Sequence, residues 1–169
     1  MINAAIMVIF PLCLAFAALM DMLTMTIPNR VSLILLASFA VLAPMTGMDW
    51  ATYGEHFAAG LIVFAVCFVL FGFGAMGGGD AKLLTATAVW FGLNMLLLQY
   101  LIYVALFGGL LTVALVVARS DRFVAFRFGP VDHLLNSNVG IPYGVAIGAA
   151  ALMCYPSTEL ARYALAGGG

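Results

Sequence analysis

Two aspartates in this chain could do chemistry together. Asp21 follows an apolar run from Ile2 to Met20, and Asp80 closes a glycine cluster, Gly72-Phe-Gly-Ala-Met-Gly-Gly-Gly-Asp80. Two carboxylates brought to about 3 Å cannot both ionise easily, so such a pair shares a proton. The ionised member can take a proton from a water, which then attacks a carbonyl carbon that the protonated member polarises. That chemistry cleaves a peptide bond. The pair titrates as a unit, so acid and base are not assigned to individual residues.

Plainer readings stand beside this one. Asp21 can be an interfacial stop residue, and Asp80 can be the N-cap of a helix starting Ala81-Lys82-Leu83. Two features ask for more. A carboxylate at the end of a helix faces the negative pole of its dipole, so the placement of Asp21 carries an electrostatic cost. Gly77, Gly78 and Gly79 are costly in chain entropy and let another backbone, such as an extended substrate, approach closely. After Asp21 comes the turn Thr24-Met-Thr-Ile-Pro-Asn-Arg30, in which Pro28 suits the first turn of a new helix. Asn29 can hydrogen-bond near the dyad or help to cap that helix. Lys82 can bias the dyad towards ionisation, bind lipid phosphates, or serve only as a loop cation.

The elements that must position these residues lie in lipid. Of the 169 residues, 66% are hydrophobic and 8% charged, against about 25% charged in soluble domains. The fold class expected is all-α, a polytopic membrane protein with six transmembrane helices in one domain. The spans are expected at about 2–20, 30–44, 57–73, 81–92, 95–118 and 139–155. From Leu83 to Ala118 there is no charge. As one helix this run would reach about 54 Å, against a hydrocarbon core of about 30 Å. A break is required, and Gly92-Leu93-Asn94 is the turn that supplies it. Thr46 to His56 reads as a loop. The stretch from Arg119 to Asn138, with Phe123, Phe126 and Phe128, reads as lying along the membrane surface. The start Met-Ile-Asn-Ala-Ala lacks a positive n-region, so the first apolar run is read as a retained span.

Charge sets the expected orientation. The loops after spans one, three and five carry Arg30, Lys82, Arg119, Arg122 and Arg127, leaving only Arg162 on the other side. By the positive-inside rule those loops face the cytoplasm and both termini lie outside. Asp21 and Asp80 then share the cytoplasmic edge. The net charge of −1 offers no basic field for nucleic acid. Cys13, Cys67 and Cys154 stand singly in apolar segments, which reads as free thiols rather than a zinc site. His56 is expected on the opposite face from the aspartates, and Asp132-His133 reads as solvated loop. No metal or cofactor is expected. The pairs Gly108-Gly109 and Gly144, Gly148 read as sites of close helix packing.

At these residues the sequence resembles the type IV prepilin peptidases, the GxGD aspartic proteases. The resemblance rests on Asp21 followed by Ile27-Pro28-Asn29, on Gly77-Gly78-Gly79-Asp80-Ala81-Lys82-Leu83, and on Ile141-Pro-Tyr-Gly-Val-Ala-Ile147. It implies Asp21 and Asp80 as catalytic residues, six helices, a bacterial inner-membrane location and cleavage at the cytoplasmic surface. The implied partners are prepilin or pseudopilin substrates, each with a short basic leader ending in Gly before an apolar helix. Larger members carry paired cysteines in an extra domain and methylate the new N-terminus. This chain lacks both pairs, is similar to the compact Tad/Cpa peptidases, and is expected to cleave without methylating. The competing readings are a small proton-coupled transporter component using the same carboxylates and a structural subunit of an export machine.

Overall fold

The computed structural model describes residues 1–119, 134 and 139–167. Among them the chain is all-helical. In order come α1 (Ile2–Thr24), α2 (Asn29–Met45), α3 (Trp50–Gly72), α4 (Gly78–Phe91), α5 (Met95–Ala118), α6 (Tyr143–Cys154), a 3-10 turn (Tyr155–Ser157) and α7 (Glu159–Leu165). Three of them, α1, α3 and α5, are long and apolar enough to cross a membrane. The expectation of six spanning helices goes further than this: α2 and α6 are apolar but shorter. The surface-lying stretch with Phe123, Phe126, Phe128, Asp132 and His133 falls outside the described residues.

α4 is the centre of the bundle. It packs against α2, α3 and α6, while α6 also packs against α1 and α5. Ala81, Leu83, Leu84, Ala86, Ala88, Val89, Trp90 and Phe91 are all buried. With 14 residues it reaches only about 21 Å, less than a bilayer core. Its neighbours shield it, so it does not need to meet lipid along its length. α5 is the reverse case. Only Leu97, Tyr100 and Gly108 are buried, and Leu98, Ile102, Leu106, Leu110, Val113 and Val117 lie exposed. In water that surface would be untenable; lipid covers it.

Several polar groups inside the bundle are paired, as a site without water favours, while the Ser32 hydroxyl is buried without a partner. Trp90 Nε1–H donates to the Leu35 carbonyl at 2.9 Å, and the Thr87 and Tyr100 hydroxyls meet at 2.8 Å. Phe10 stacks on Tyr155 and tilts against Trp90, joining α1 to α4 and to the turn after α6.

Several boundaries differ from the sequence expectation. α3 starts at Trp50, because Asp49 accepts from the Ala51 and Thr52 amides and caps it. Gly54, Glu55 and His56 are therefore helical, and the loop before α3 shrinks to a tight turn around Gly47. α7 was not expected; Thr158 caps it through the Ala161 amide. Asp80 is not an N-cap. Gly77 takes that position and Asp80 falls in the first turn of α4, which begins at Gly78 and Gly79 where they press against Phe71 and Ile27 and a side chain would crowd them. α1 runs past Asp21 to Thr24, and Met25 ends it in the left-handed conformation.

The break after α4 takes a conformation that glycine alone adopts readily. Gly92 has φ 73 and ψ 174, and a Cβ there would lie 2.9 Å from the His56 ring. Gly92→Ala therefore combines backbone strain with a clash. It is expected to cost about 2 kcal/mol and lower the thermal unfolding midpoint in detergent by about 5 °C. An unchanged midpoint would show that the turn tolerates a side chain.

Candidate active site

Asp21 occupies the last turn of α1 and is 5% exposed. Its Oδ2 accepts a hydrogen bond from the Gly144 amide at 2.7 Å. Gly144 lies in the first turn of α6, so the positive pole of that helix faces the carboxylate. This partner offsets the unfavourable placement at the end of α1. A Cβ on Gly144 would stand 2.8 Å from Asp21 Oδ2 and 2.9 Å from Ile27 Cδ1. Gly144 is thus more than a helix-packing glycine. Gly148, by contrast, does pack against Leu14 and Ala18 of α1, and Gly108 faces the Tyr143 ring. Nothing lies near Gly109, so that glycine serves no packing contact here.

Asp80 comes from the other side of the same space. Its Oδ1 is buried without a hydrogen-bond partner. Its Oδ2 lies 2.8 Å from where a Gly77 Cβ would be. Asp80 sits before the apolar body of α4, outside the three long spans. Burial, and then the neighbouring Asp21 charge, push its carboxyl up to about 7. A group held near neutrality in a cleft is the kind that exchanges protons in catalysis.

The glycine cluster and the Ile27-Pro28-Asn29 turn interlock. A Cβ on Gly79 would lie 3.3 Å from Ile27 Cβ, and one on Gly78 would lie 3.3 Å from the Phe71 ring. The backbone that approaches Gly79 is therefore the chain's own. Pro28 stands just before α2 as its N-cap residue and makes no side-chain capping bond. Asn29 follows as the first helical residue, so it does not cap; its Oδ1 accepts from Lys82 Nζ at 2.9 Å. That bond ties the start of α2 to the first turn of α4.

Asp21 and Asp80 line one cleft with two lobes. The first, about 260 Å³, is bounded by Thr26, Ile27, Asn29 and Gly77 to Gly79. The second, about 500 Å³, is bounded by Ala75, Met76, Arg119, Gly140, Ile141 and Tyr143. Both carboxylates border both lobes. The two lobes also share Met25 and Gly77 in their walls.

Residues that sequence reasoning assigned no part in the site are Ile27, Arg119, Gly140 and Gly144. Arg119 donates from Nε to the Leu134 carbonyl at 2.8 Å and from Nη2 to the Val139 and Gly140 carbonyls, each at 2.9 Å. It anchors the strand of chain that delivers α6 to Asp21. The Pro-Tyr-Gly run was the available signal for Gly144. Nothing local distinguishes Arg119 from a loop cation.

His56 lies elsewhere. It is buried, with Nδ1 2.7 Å from the Val89 carbonyl and Nε2 3.8 Å from Glu159. Val89 is nine residues along α4 from Asp80, about 14 Å at helical rise. Cys67 and Cys154 are buried and Cys13 is half-buried, all as free thiols. Among the described residues no three His, Cys, Asp or Glu side chains gather as a metal site would require.

Residues 8–117 match the type IV leader peptidase family. Neither the curated proteins nor the solved structures include a match to the chain.

Proposed function

The chain belongs to the type IV leader peptidase family, and from that premise we propose that it is an aspartic endopeptidase working through Asp21 and Asp80. Family and apolar helices make it an integral membrane protease acting on prepilin-like substrates. The observation that carries the mechanism is the cleft: carboxylates from two different helices border the same two lobes.

In the proposed reaction the dyad holds one proton. The ionised oxygen takes a proton from a water lodged between the carboxylates. The hydroxide so formed adds to the scissile carbonyl carbon, and the protonated member donates to the carbonyl oxygen. Collapse of the tetrahedral diol breaks the C–N bond: the departing amine takes a proton from the dyad, and one hydroxyl of the diol returns a proton to it as the new carboxylic acid forms. Gly144 N–H holds Asp21 in place throughout. The finer reading, Flp/Tad-type prepilins cut at the cytoplasmic face, is supported by the basic residues Arg30, Lys82 and Arg119, which stand at the same helix ends as Asp21 and Asp80.

A proton relay needs ionisable groups along a path through the bundle. Apart from Asp21 and His56, the buried polar side chains among the described residues include Ser32, Thr87, Thr158, Tyr100 and Tyr155. None of these is an acid or base that exchanges protons near neutral pH, which weighs against the transporter reading.

The test is co-expression with a prepilin bearing a basic leader ending in Gly, followed by N-terminal sequencing of the product. A mature N-terminus directly after that Gly is expected; an uncut leader would overturn the assignment. The pH profile gives a second check. With Asp80 held at about 7, raising the pH beyond that value strips the remaining proton and leaves no acid to polarise the carbonyl. The cleavage rate by purified protein should fall as pH rises from 7 to 9. A rate that climbs through this range would contradict a proton shared by the dyad.

A further inference from the structure

Asn29 borders the cleft lobe that also holds Asp21, Asp80 and the glycines. Its carboxamide has one accepting oxygen and two N–H donors, and these point in different directions. Lys82 carries only donors, so the atom facing it must be the oxygen. The distance from Nζ to Oδ1 is 2.9 Å. With the oxygen held there, Nδ2 is turned away from Lys82, and among the described residues nothing accepts its protons.

We propose, on the strength of the peptidase reading, that Asn29 binds the substrate backbone by donating from Nδ2 to a carbonyl oxygen of the extended segment in the cleft, and that Lys82 orients the amide for this. Asn29 touches substrate; Lys82 is a positioning residue that acts through it. The chemistry fits what an extended peptide needs. It arrives with backbone carbonyls stripped of water, and each needs a donor. Glycines at 77 to 79 keep side chains out of the lobe, and Asn29 supplies a donor at its rim. The same logic explains why a lysine stands two positions after Asp80. A lysine that only balanced charge across the membrane would not need its ammonium on an amide oxygen of another helix.

Steady-state cleavage by the purified full-length protein in detergent tests this, with a synthetic peptide as probe: a basic leader ending in Gly followed by an apolar segment. Asn29→Asp is the decisive variant. Its carboxylate still accepts from Lys82, so the tie between α2 and α4 survives, but it has no donor. KM should rise about tenfold, measured at each variant's own pH optimum, with the unfolding midpoint unchanged. Lys82→Met frees the amide to rotate, and KM should rise about threefold. The double variant Asn29→Ala/Lys82→Met should be no worse than Asn29→Ala alone, since the lysine acts only through the asparagine. A wild-type KM for Asn29→Asp would overturn the proposal. So would losses that add in the double variant, or variants that lower the unfolding midpoint while leaving KM alone. In each of these cases the peptidase reading would stand, because the wild-type protein still cuts. No cleavage by the wild type would remove both.

Discussion

Replacing either aspartate by asparagine is expected to abolish leader cleavage while leaving the protein folded in the membrane. General acid–base assistance contributes about 10²- to 10⁴-fold, and each carboxylate supplies part of one proton cycle. Loss of either one stops the cycle, so Asp21→Asn and Asp80→Asn should each fall below the detection limit of a gel-mobility assay. The double variant should look no worse than either single one, as groups that work as a unit are not additive. Asp21→Asn retains an oxygen that can accept from the Gly144 amide, so α6 stays docked. Asp80→Asn has a further signature. The Asp80 carboxyl is raised from its ordinary range to about 7. The folded state therefore binds its proton more tightly than the unfolded state, and wild-type stability falls as pH rises from about 4 to about 7. Above pH 7 the wild type carries this penalty in full and Asp80→Asn does not. The variant should be inactive yet at least as heat-stable as wild type at pH 8. A site that is destabilising for the fold and needed for the reaction behaves this way. Wild-type processing by either variant would end the dyad assignment.

Gly144→Ala carries the second largest expected effect. The added methyl would lie 2.8 Å from Asp21 Oδ2, 2.9 Å from Ile27 Cδ1 and 3.0 Å from Asp21 Cβ. None of these is the end of a long, freely moving side chain. Ile27 is itself held against Gly79, and Asp21 is held by the same amide. The start of α6 must therefore move away from α1 or the Asp21 carboxylate must rotate. A displacement of about 1 Å at a reacting group costs about 10²-fold in rate. The expected result is a loss of that size in kcat, with the protein still inserted and folded. Gly109→Ala is the matching control. Nothing lies near its position, and full activity is expected. Equal activity of the two variants would show that the Gly144 amide does not set the geometry of Asp21.

Parts of this arrangement could be read without coordinates because they follow from local physics. A charge-free run too long for one span forces a break, and Gly92-Leu93-Asn94 provides it between α4 and α5. The apolar composition calls for lipid. Asp21 and Asp80 stand at helix ends because each is flanked by a turn that the residue types announce. Other local readings failed where two local signals competed. Asp80 reads as a cap, but the helix begins two residues before it, at Gly78, where Gly78 and Gly79 pack against Phe71 and Ile27. Thr46 to His56 looked like loop, but a good cap at Asp49 outweighed Gly54 within the helix.

What the amino-acid sequence determined by itself is the inventory: apolar helices, two acids at their ends, and the need for a membrane around them. Those properties depend on hydropathy and on backbone preferences over a few residues. Only the tertiary structure decided which groups meet. Asp21 accepts from an amide 123 positions away, Ile27 fits between two glycines from different helices, Lys82 finds Asn29, and Arg119 grips the chain ahead of α6. Each such contact depends on how helices rotate and tilt against one another, which is set by the packing of the whole bundle and leaves no mark in any short stretch of residues.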